Sequence, residues 1–141
     1  MPTWQNLNFR PHNLAYPRIW QGIGWLMIGM VVWLSLIPHP PTPPEFLAWD
    51  KAQHLVAYAG LMFWFRQSFQ PHWRWPAFLV GLGIGLEYLQ GLSGVRVLEP
   101  LDMLANSIGV VLGLILCTTP LGRLITLADL WAARMAPVAM R

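Results

Sequence analysis

Charged residues are scarce in this chain, and their scarcity is the first constraint on its class. Asp, Glu, Lys and Arg make up 11% of the 141 residues, whereas soluble domains carry about 25%. Apolar residues make up 55%, and a soluble protein this short buries too small a fraction of its surface to hide so many. The composition therefore excludes an ordinary soluble domain and predicts an integral membrane protein, whose apolar side chains can face lipid.

Other features are also rare. The single cysteine, Cys117, excludes an intramolecular disulfide. No repeat of 20 to 50 residues is present, so residues 1–141 are predicted to form one domain. The net charge is +3, but the basic residues are scattered beside apolar runs, so we expect no nucleic-acid partner. What the chain does have is nine Trp, a residue that settles at membrane interfaces.

The apolar residues are concentrated in four segments, each close to the ~20 residues that cross a bilayer. A stretch rich in proline at 38–44 cannot be helical and predicts an extended connector. After Pro120, apolar residues mix with Arg123, Asp129 and Arg134, which predicts an amphipathic helix on the membrane surface. The predicted fold is an all-α membrane protein, a four-transmembrane-helix bundle with a C-terminal interfacial helix, with helices at about 19–37, 50–69, 76–92, 101–117 and 121–135.

The distribution of Lys and Arg predicts the orientation of this bundle. With four spans, one side of the membrane holds Arg10, Arg18, Arg66, Arg74, Arg123, Arg134 and Arg141. The other side holds Lys51 and Arg96. Because basic loops stay in the cytoplasm, both termini are predicted to be cytoplasmic.

The intramembrane polar residues converge toward the outer side. Asp50, His54 and Tyr58 share one helix face because they are four residues apart. Charged groups in hydrocarbon cost a few kcal/mol each, so such residues face one another or a wet cavity. The predicted ligand-binding set is Asp50, Lys51, His54, Tyr58, Glu87, Gln90, Arg96, Asp102 and Asn106.

Two pairs of glycines predict close contacts between helices. Gly109 and Gly113 lie four residues apart on the face that carries Asp102 and Asn106, and Gly81 and Gly85 form a similar pair. Small residues at this spacing let helix backbones approach closely in lipid.

The polar residues also form motifs with a fixed order and spacing. These are D-K-x-x-H-x-x-x-Y at 50–58, E-x-x-Q at 87–90 followed by Arg96, and D-x-x-x-N-x-x-G-x-x-x-G at 102–113. Over roughly residues 34–113 this pattern resembles the VanZ-like family, named for a teicoplanin-resistance membrane protein. The resemblance implies a protein of the bacterial inner membrane linked to tolerance of lipoglycopeptide antibiotics. It implies no agreed enzymatic activity.

Three functions remain open for the polar cluster. The first is a binding pocket for a membrane lipid, a lipid-linked cell-wall intermediate or a lipoglycopeptide. The second is an enzyme that modifies an envelope lipid, with His54, Glu87 and Asp102 as acid–base candidates. The third is a structural subunit of a membrane complex, in which hydrogen bonds simply fix the bundle. No cofactor or metal is expected, since one His with scattered carboxylates has no diagnostic spacing. A homo-oligomer is compatible with all three.

Overall fold

The computed structural model describes residues 14–39, 41–42, 44–45, 49–94 and 97–135, and this part of the chain is helical without any β-strand. The predicted all-α class is therefore confirmed. The helices are α1 (Pro17–Leu36), α2 (Asp50–Ser68), α3 (Arg74–Leu92) and α4 (Pro100–Cys117), followed by a 3-10 turn (Pro120–Arg123) and α5 (Leu124–Met135).

The helix boundaries lie close to the predicted ones, with two instructive differences. Helix α3 begins at Arg74, two residues before Pro76. Pro76 is tolerated there because the first-turn N–H groups have no partner within the helix. The segment predicted as one surface helix from residue 121 is divided, because the 3-10 turn intervenes and the hydroxyl of Thr119 accepts a hydrogen bond from the Leu121 N–H.

Two of the described helices, α1 and α4, are long and apolar enough to cross a membrane. Helices α2 and α3 have 19 residues each, a length similar to the 20 residues of α1 and the 18 of α4. The difference is one of composition, because α2 and α3 carry several polar side chains, among them Asp50, Lys51, Gln67 and Glu87.

Helix α2 is the centre of the bundle and packs most extensively against α4. A Cβ atom at Gly109 would lie 2.5 Å from the Leu55 carbonyl oxygen, and one at Gly113 would lie 2.5 Å from that of Ala59. The predicted role of this glycine pair is confirmed. The prediction for Gly81 and Gly85 is wrong, since a Cβ at either would meet nothing within 4 Å.

The glycine of α3 that does face a neighbour is Gly83. A Cβ there would lie 2.9 Å from the side-chain nitrogen of Asn106 in α4. Gly83 lies midway between Gly81 and Gly85 in the sequence. The four-residue spacing of the outer two could therefore not show that Gly83 is the one that faces α4.

Successive helices run in opposite directions and create two distinct ends. The Gln90 amide, late in α3, donates to the carbonyl of Ser35 at the end of α1 (2.9 Å). We call this end, which also contains the first turns of α2 and α4, the polar end. At the opposite end, Gln21 of α1 donates to the carbonyl of Ser68 in α2 (3.3 Å).

Aromatic side chains fill the core near this opposite end, which we call the aromatic end. The fully buried Phe65 ring stacks on Phe69 at 4.8 Å and meets Trp75 and Trp25 at 5.2 and 5.6 Å. Such aromatic pairs add ~0.5–1.5 kcal/mol each beyond the area they bury. This end is therefore held by packing rather than by charge.

Helix α5 docks on the aromatic end through hydrogen bonds. Asp129, only 1% exposed, accepts from the N–H groups of Ala15 and Tyr16 and from the Trp20 indole N–H (2.8 Å). The Gln67 side-chain oxygen accepts from the Ile125 N–H at 3.1 Å. The apolar-and-polar pattern of this segment groups Asp129 with the solvated face, whereas the structure buries it against the start of α1.

Candidate functional site

An ion-pair cluster occupies the polar end because α2 and α4 both begin there. The Lys51 ammonium lies 2.7 Å from the Glu99 carboxylate and 3.1 Å from Oδ1 of Asp102. The Asp102 side chain is 6% exposed, whereas that of Glu99 is 49% exposed. The positive charge of Lys51 thus balances the buried carboxylate of Asp102 and the solvated carboxylate of Glu99.

Glu99 was not among the predicted site residues. It lies in the connection before Pro100, and its hydrogen bond with the Lys51 ammonium, together with their charge attraction, holds its pKa below the ordinary value. The sequence did contain a signal for Glu99. A proline often opens a helix, so the acidic residue directly before Pro100 is expected to lie beside Asp102 in the first turn of α4.

His54 lies between the carboxylates of α2 and α4. Its Nδ1 is 3.0 Å from the side-chain oxygen of Asn106. Its Nε2 is 3.8 Å from Oδ2 of Asp50 and 3.8 Å from Oδ2 of Asp102. An amide oxygen can only accept a hydrogen bond, so Nδ1 is the donor in the first contact. The ring is therefore fixed with Nε2 directed at two carboxylates.

Glu87 connects α3 to this cluster. Its side chain is buried, and Oε1 accepts a hydrogen bond from the Glu99 N–H at 2.7 Å. The other oxygen, Oε2, has no hydrogen-bond partner. Glu87 therefore positions the backbone of the residue whose side chain pairs with Lys51.

A cavity of about 360 Å³ lies beside the cluster, between the polar ends of α1, α2 and α3 and the connector after α1. Its volume falls in the range of small-molecule sites, about 300–1,000 Å³. The apolar part of the wall comes mainly from α1, and the polar part mainly from α2. It is lined by Val31, Leu34, Ser35, Pro41, Thr42, Pro44, Asp50, Gln53, His54, Ala57, Tyr58 and Gln90.

Tyr58 is the most buried polar group of the cavity wall. The residue is 2% exposed, and its hydroxyl has no hydrogen-bond partner. A buried hydroxyl without a partner costs ~1–3 kcal/mol. Tyr58 therefore brings a buried, unused donor and acceptor to the wall of the cavity.

The structure brings eight of the nine predicted site residues to one end of the bundle, and Arg96 lies outside the described residues. Four of the eight, Asp50, His54, Tyr58 and Gln90, line the cavity. The other four, Lys51, Glu87, Asp102 and Asn106, form the network behind it. No family model, no curated protein and no solved structure matches this chain.

Proposed function

We propose that this chain is a four-span protein of the bacterial inner membrane, with both termini in the cytoplasm, whose outward end binds the polar headgroup of an amphiphile. A lipid-linked cell-wall intermediate or a lipoglycopeptide has this chemistry. The observation that carries the proposal is the cavity at the polar end, with the buried, unpartnered hydroxyl of Tyr58 in its wall.

The four-span arrangement is supported by where the polar side chains of α2 and α3 point. Tyr58, Glu87 and Gln90 are buried within the bundle. The outward faces instead carry large exposed apolar side chains, such as Val56, Ile84 and Leu89. A monomer in water rarely exposes large apolar patches. Lipid around all four helices would cover these faces.

The orientation is supported by the distribution of basic residues over the two ends. Arg18, Arg66, Arg74 and Arg123 lie in helix turns or connections at the aromatic end. Lys51 lies at the polar end. Because basic residues stay on the cytoplasmic side, this asymmetry directs the polar end outward.

The chemistry of the cavity wall favours a headgroup rich in hydroxyl or amide groups. Thr42, Gln53 and Tyr58 offer neutral donors and acceptors, and no Lys or Arg is among the lining residues. Lys51, a member of the predicted ligand-binding set, is paired with Glu99 and Asp102 instead. A sugar or peptide headgroup fits this wall, with the apolar chain against α1.

The resemblance to the VanZ-like family adds support. Its motif residues in α2, α3 and α4 meet at one end of the bundle, so the spacing in the sequence corresponds to one site in space. Tolerance of a lipoglycopeptide would follow if the outward cavity bound the antibiotic or the cell-wall precursor that it recognises.

The test is to identify the co-purifying amphiphile and its dependence on Tyr58. The full chain, purified in mild detergent, is analysed by native mass spectrometry and by mass spectrometry of extracted lipids. We expect a bound amphiphile in the wild type and its loss in Tyr58→Phe. Ser68→Ala is the matched control, because its hydroxyl is also buried without a partner but lies outside the cavity. Equal occupancy in the two variants and the wild type would contradict the proposal.

The same variants can be tested in cells. Tyr58→Phe should lower teicoplanin tolerance relative to the wild type at equal membrane abundance, whereas Ser68→Ala should not. The alternative is an enzyme that modifies an envelope lipid. It would be indicated by a covalently altered lipid that is present in cells with the wild-type protein and absent from cells without it.

A further inference from the structure

We propose that Asp50, His54 and Asp102 form a binding site for one divalent transition-metal cation of the Zn²⁺ and Mn²⁺ class. One potential ligand atom from each residue lies within 4.8 Å of the other two. The three residues come from the first two turns of α2 and the first turn of α4, two helices that the glycine contacts hold together. The inference does not require that the cavity bind an amphiphile.

The hydrogen bond of the His54 ring determines which ring nitrogen can bind a metal. Nδ1 donates its hydrogen to the Asn106 side-chain oxygen, at 3.0 Å. In the neutral ring Nε2 then carries a lone pair, directed at two carboxylate groups 3.8 Å away. A lone pair and two carboxylates repel one another unless a positive species lies between them. A metal cation satisfies all three groups at once.

The distances leave space for such a cation. Two sides of the triangle of ligand atoms are 3.8 Å, and no side exceeds 4.8 Å. A point equidistant from the three atoms therefore lies about 2.1–2.5 Å from each, close to metal–nitrogen and metal–oxygen bond lengths. Small side-chain adjustments suffice to close the coordination shell.

The charge of the surroundings favours a cation. Among the described side chains of the cluster, Lys51 is the one basic group, against the carboxylates of Asp50, Glu99 and Asp102. Lys51 approaches Asp102 through Oδ1, whereas His54 faces Oδ2. One carboxylate can thus serve the ammonium and the metal with different oxygens.

The ligand types narrow the choice of metal. Imidazole suits Zn²⁺ and other transition metals, and carboxylates suit Mn²⁺ as well. Three protein ligands leave an open coordination position. The Nδ1 hydrogen bond to Asn106 is the kind of outer contact that fixes the ring of a metal-bound histidine. Glu87, one of the three acid–base candidates, is not a member of this set because its carboxylate accepts a hydrogen bond from the Glu99 backbone.

The proposed cation would lie at the edge of the cavity, since Asp50 and His54 belong both to the triad and to the cavity wall. Its open position could accept an oxygen of a bound headgroup, and this consequence alone depends on the proposed function. The cation would supply the positive charge that the described cavity wall lacks, and with it an affinity for phosphate.

The test uses the full chain in detergent, stripped with a chelator and titrated with Zn²⁺, Mn²⁺ or Mg²⁺ alone. Calorimetry and elemental analysis should show one Zn²⁺ or Mn²⁺ per chain and weaker binding of Mg²⁺. His54→Gln and Asp50→Asn should abolish this binding, and the exposed Asp50 keeps the test valid if another variant fails to fold. Asn106→Ala should weaken it by about 10–100-fold. His72→Gln, an exposed histidine at the aromatic end, is the matched control.

A spectroscopic measurement separates ligation from general attraction. Pulsed EPR of bound Mn²⁺ should show coupling to a histidine nitrogen in the wild type and none in His54→Gln. Retention of stoichiometric binding in both His54→Gln and Asp50→Asn would overturn the proposal. So would ¹⁵N NMR of metal-equilibrated protein showing a protonated Nε2 on His54. Tyr58→Phe should keep the metal and lose the amphiphile, so failure of the two proposals can be distinguished.

Discussion

At the scale of single residues, Tyr58 combines a buried hydroxyl that lacks a partner with a position in the cavity wall. Protein interiors seldom leave a buried polar atom without a partner, because the lost contact with water costs ~1–3 kcal/mol. Tyr58 bears this cost beside a cavity, where a ligand can supply the missing hydrogen bond. Under the proposed function, its hydroxyl contributes to binding rather than to the stability of the ligand-free fold.

Tyr58→Phe should leave the ligand-free protein as stable as the wild type, or more stable by up to about 1–3 kcal/mol, because the substitution removes an unsatisfied group. The measurement is thermal unfolding of delipidated protein in detergent. A clear decrease in stability would show that the hydroxyl has a structural partner.

Lys51 and its two carboxylates allow a comparison of solvated and buried charge. Glu99→Ala should cost little, because solvent screens an exposed ion pair. Lys51→Ala should cost more, because it leaves the buried Asp102 carboxylate without its cation. Unfolding in denaturant gives both values. Equal costs for the two substitutions would contradict this assignment of their roles.

At the scale of helices, the contact between α2 and α4 is the closest in the bundle and sets the geometry of the site. Both glycines of α4 face backbone carbonyls of α2, and backbone cannot move aside as a side chain can. This contact fixes the distance between the first turns of the two helices, where His54 meets Asp102.

Gly109→Ala should destabilise the bundle by about 1–3 kcal/mol, the usual effect of overpacking, and should disturb the His54 cluster. Gly85→Ala is the control, because its added Cβ meets nothing within 4 Å, and alanine gains up to ~1 kcal/mol in helix propensity. Thermal unfolding of both variants checks the prediction. A similar melting temperature for the two would contradict it.

One buried carboxylate makes three of the hydrogen bonds that dock α5. Asp129→Ala removes the acceptor of the Trp20 and Tyr16 N–H groups and should cost about 1.5–3 kcal/mol. Limited proteolysis should then cleave α5 from the bundle. Glu45→Ala, at an exposed position, should leave the proteolytic pattern unchanged.

The elements that could be predicted from sequence are those that apolar runs and residue spacing within one helix determine. Apolar runs separated by polar or proline-containing connections predicted α1 to α4, and the spacing of Asp102, Asn106, Gly109 and Gly113 predicted the inward face of α4. Gly83 and Asp129 could not be assigned in this way, because which of two helix faces is buried depends on the neighbour. Glu99 was missed because it lies in a connection, where no periodicity applies.

At the scale of the whole molecule, the two ends differ in what holds them together. The aromatic end is packed by rings and flanked by arginines, and the polar end is held by ion pairs and hydrogen bonds. The sequence predicted the polar end, because the position of each polar residue along its helix can be counted. It could not predict the cavity, which results from the path of the connector after α1.

The orientation has a direct test. A reporter enzyme active only outside the cytoplasm should be active when inserted after Thr42 and silent when fused to the C terminus. The charge asymmetry between the two ends is the physical reason. The opposite pattern of activity would place the cavity on the cytoplasmic side and exclude a ligand of the outer leaflet.

The hydrogen bonds of Asp129 also determine when the fold can be completed during synthesis. The N–H groups at the start of α1 emerge early from the ribosome, but their acceptor is translated more than a hundred residues later. Until then, α1 can pack against α2 and α3, but the N–H groups of Tyr16 and of the Trp20 indole lack their acceptor. The contact between the start of α1 and α5 can therefore form only after the four longer described helices have been translated.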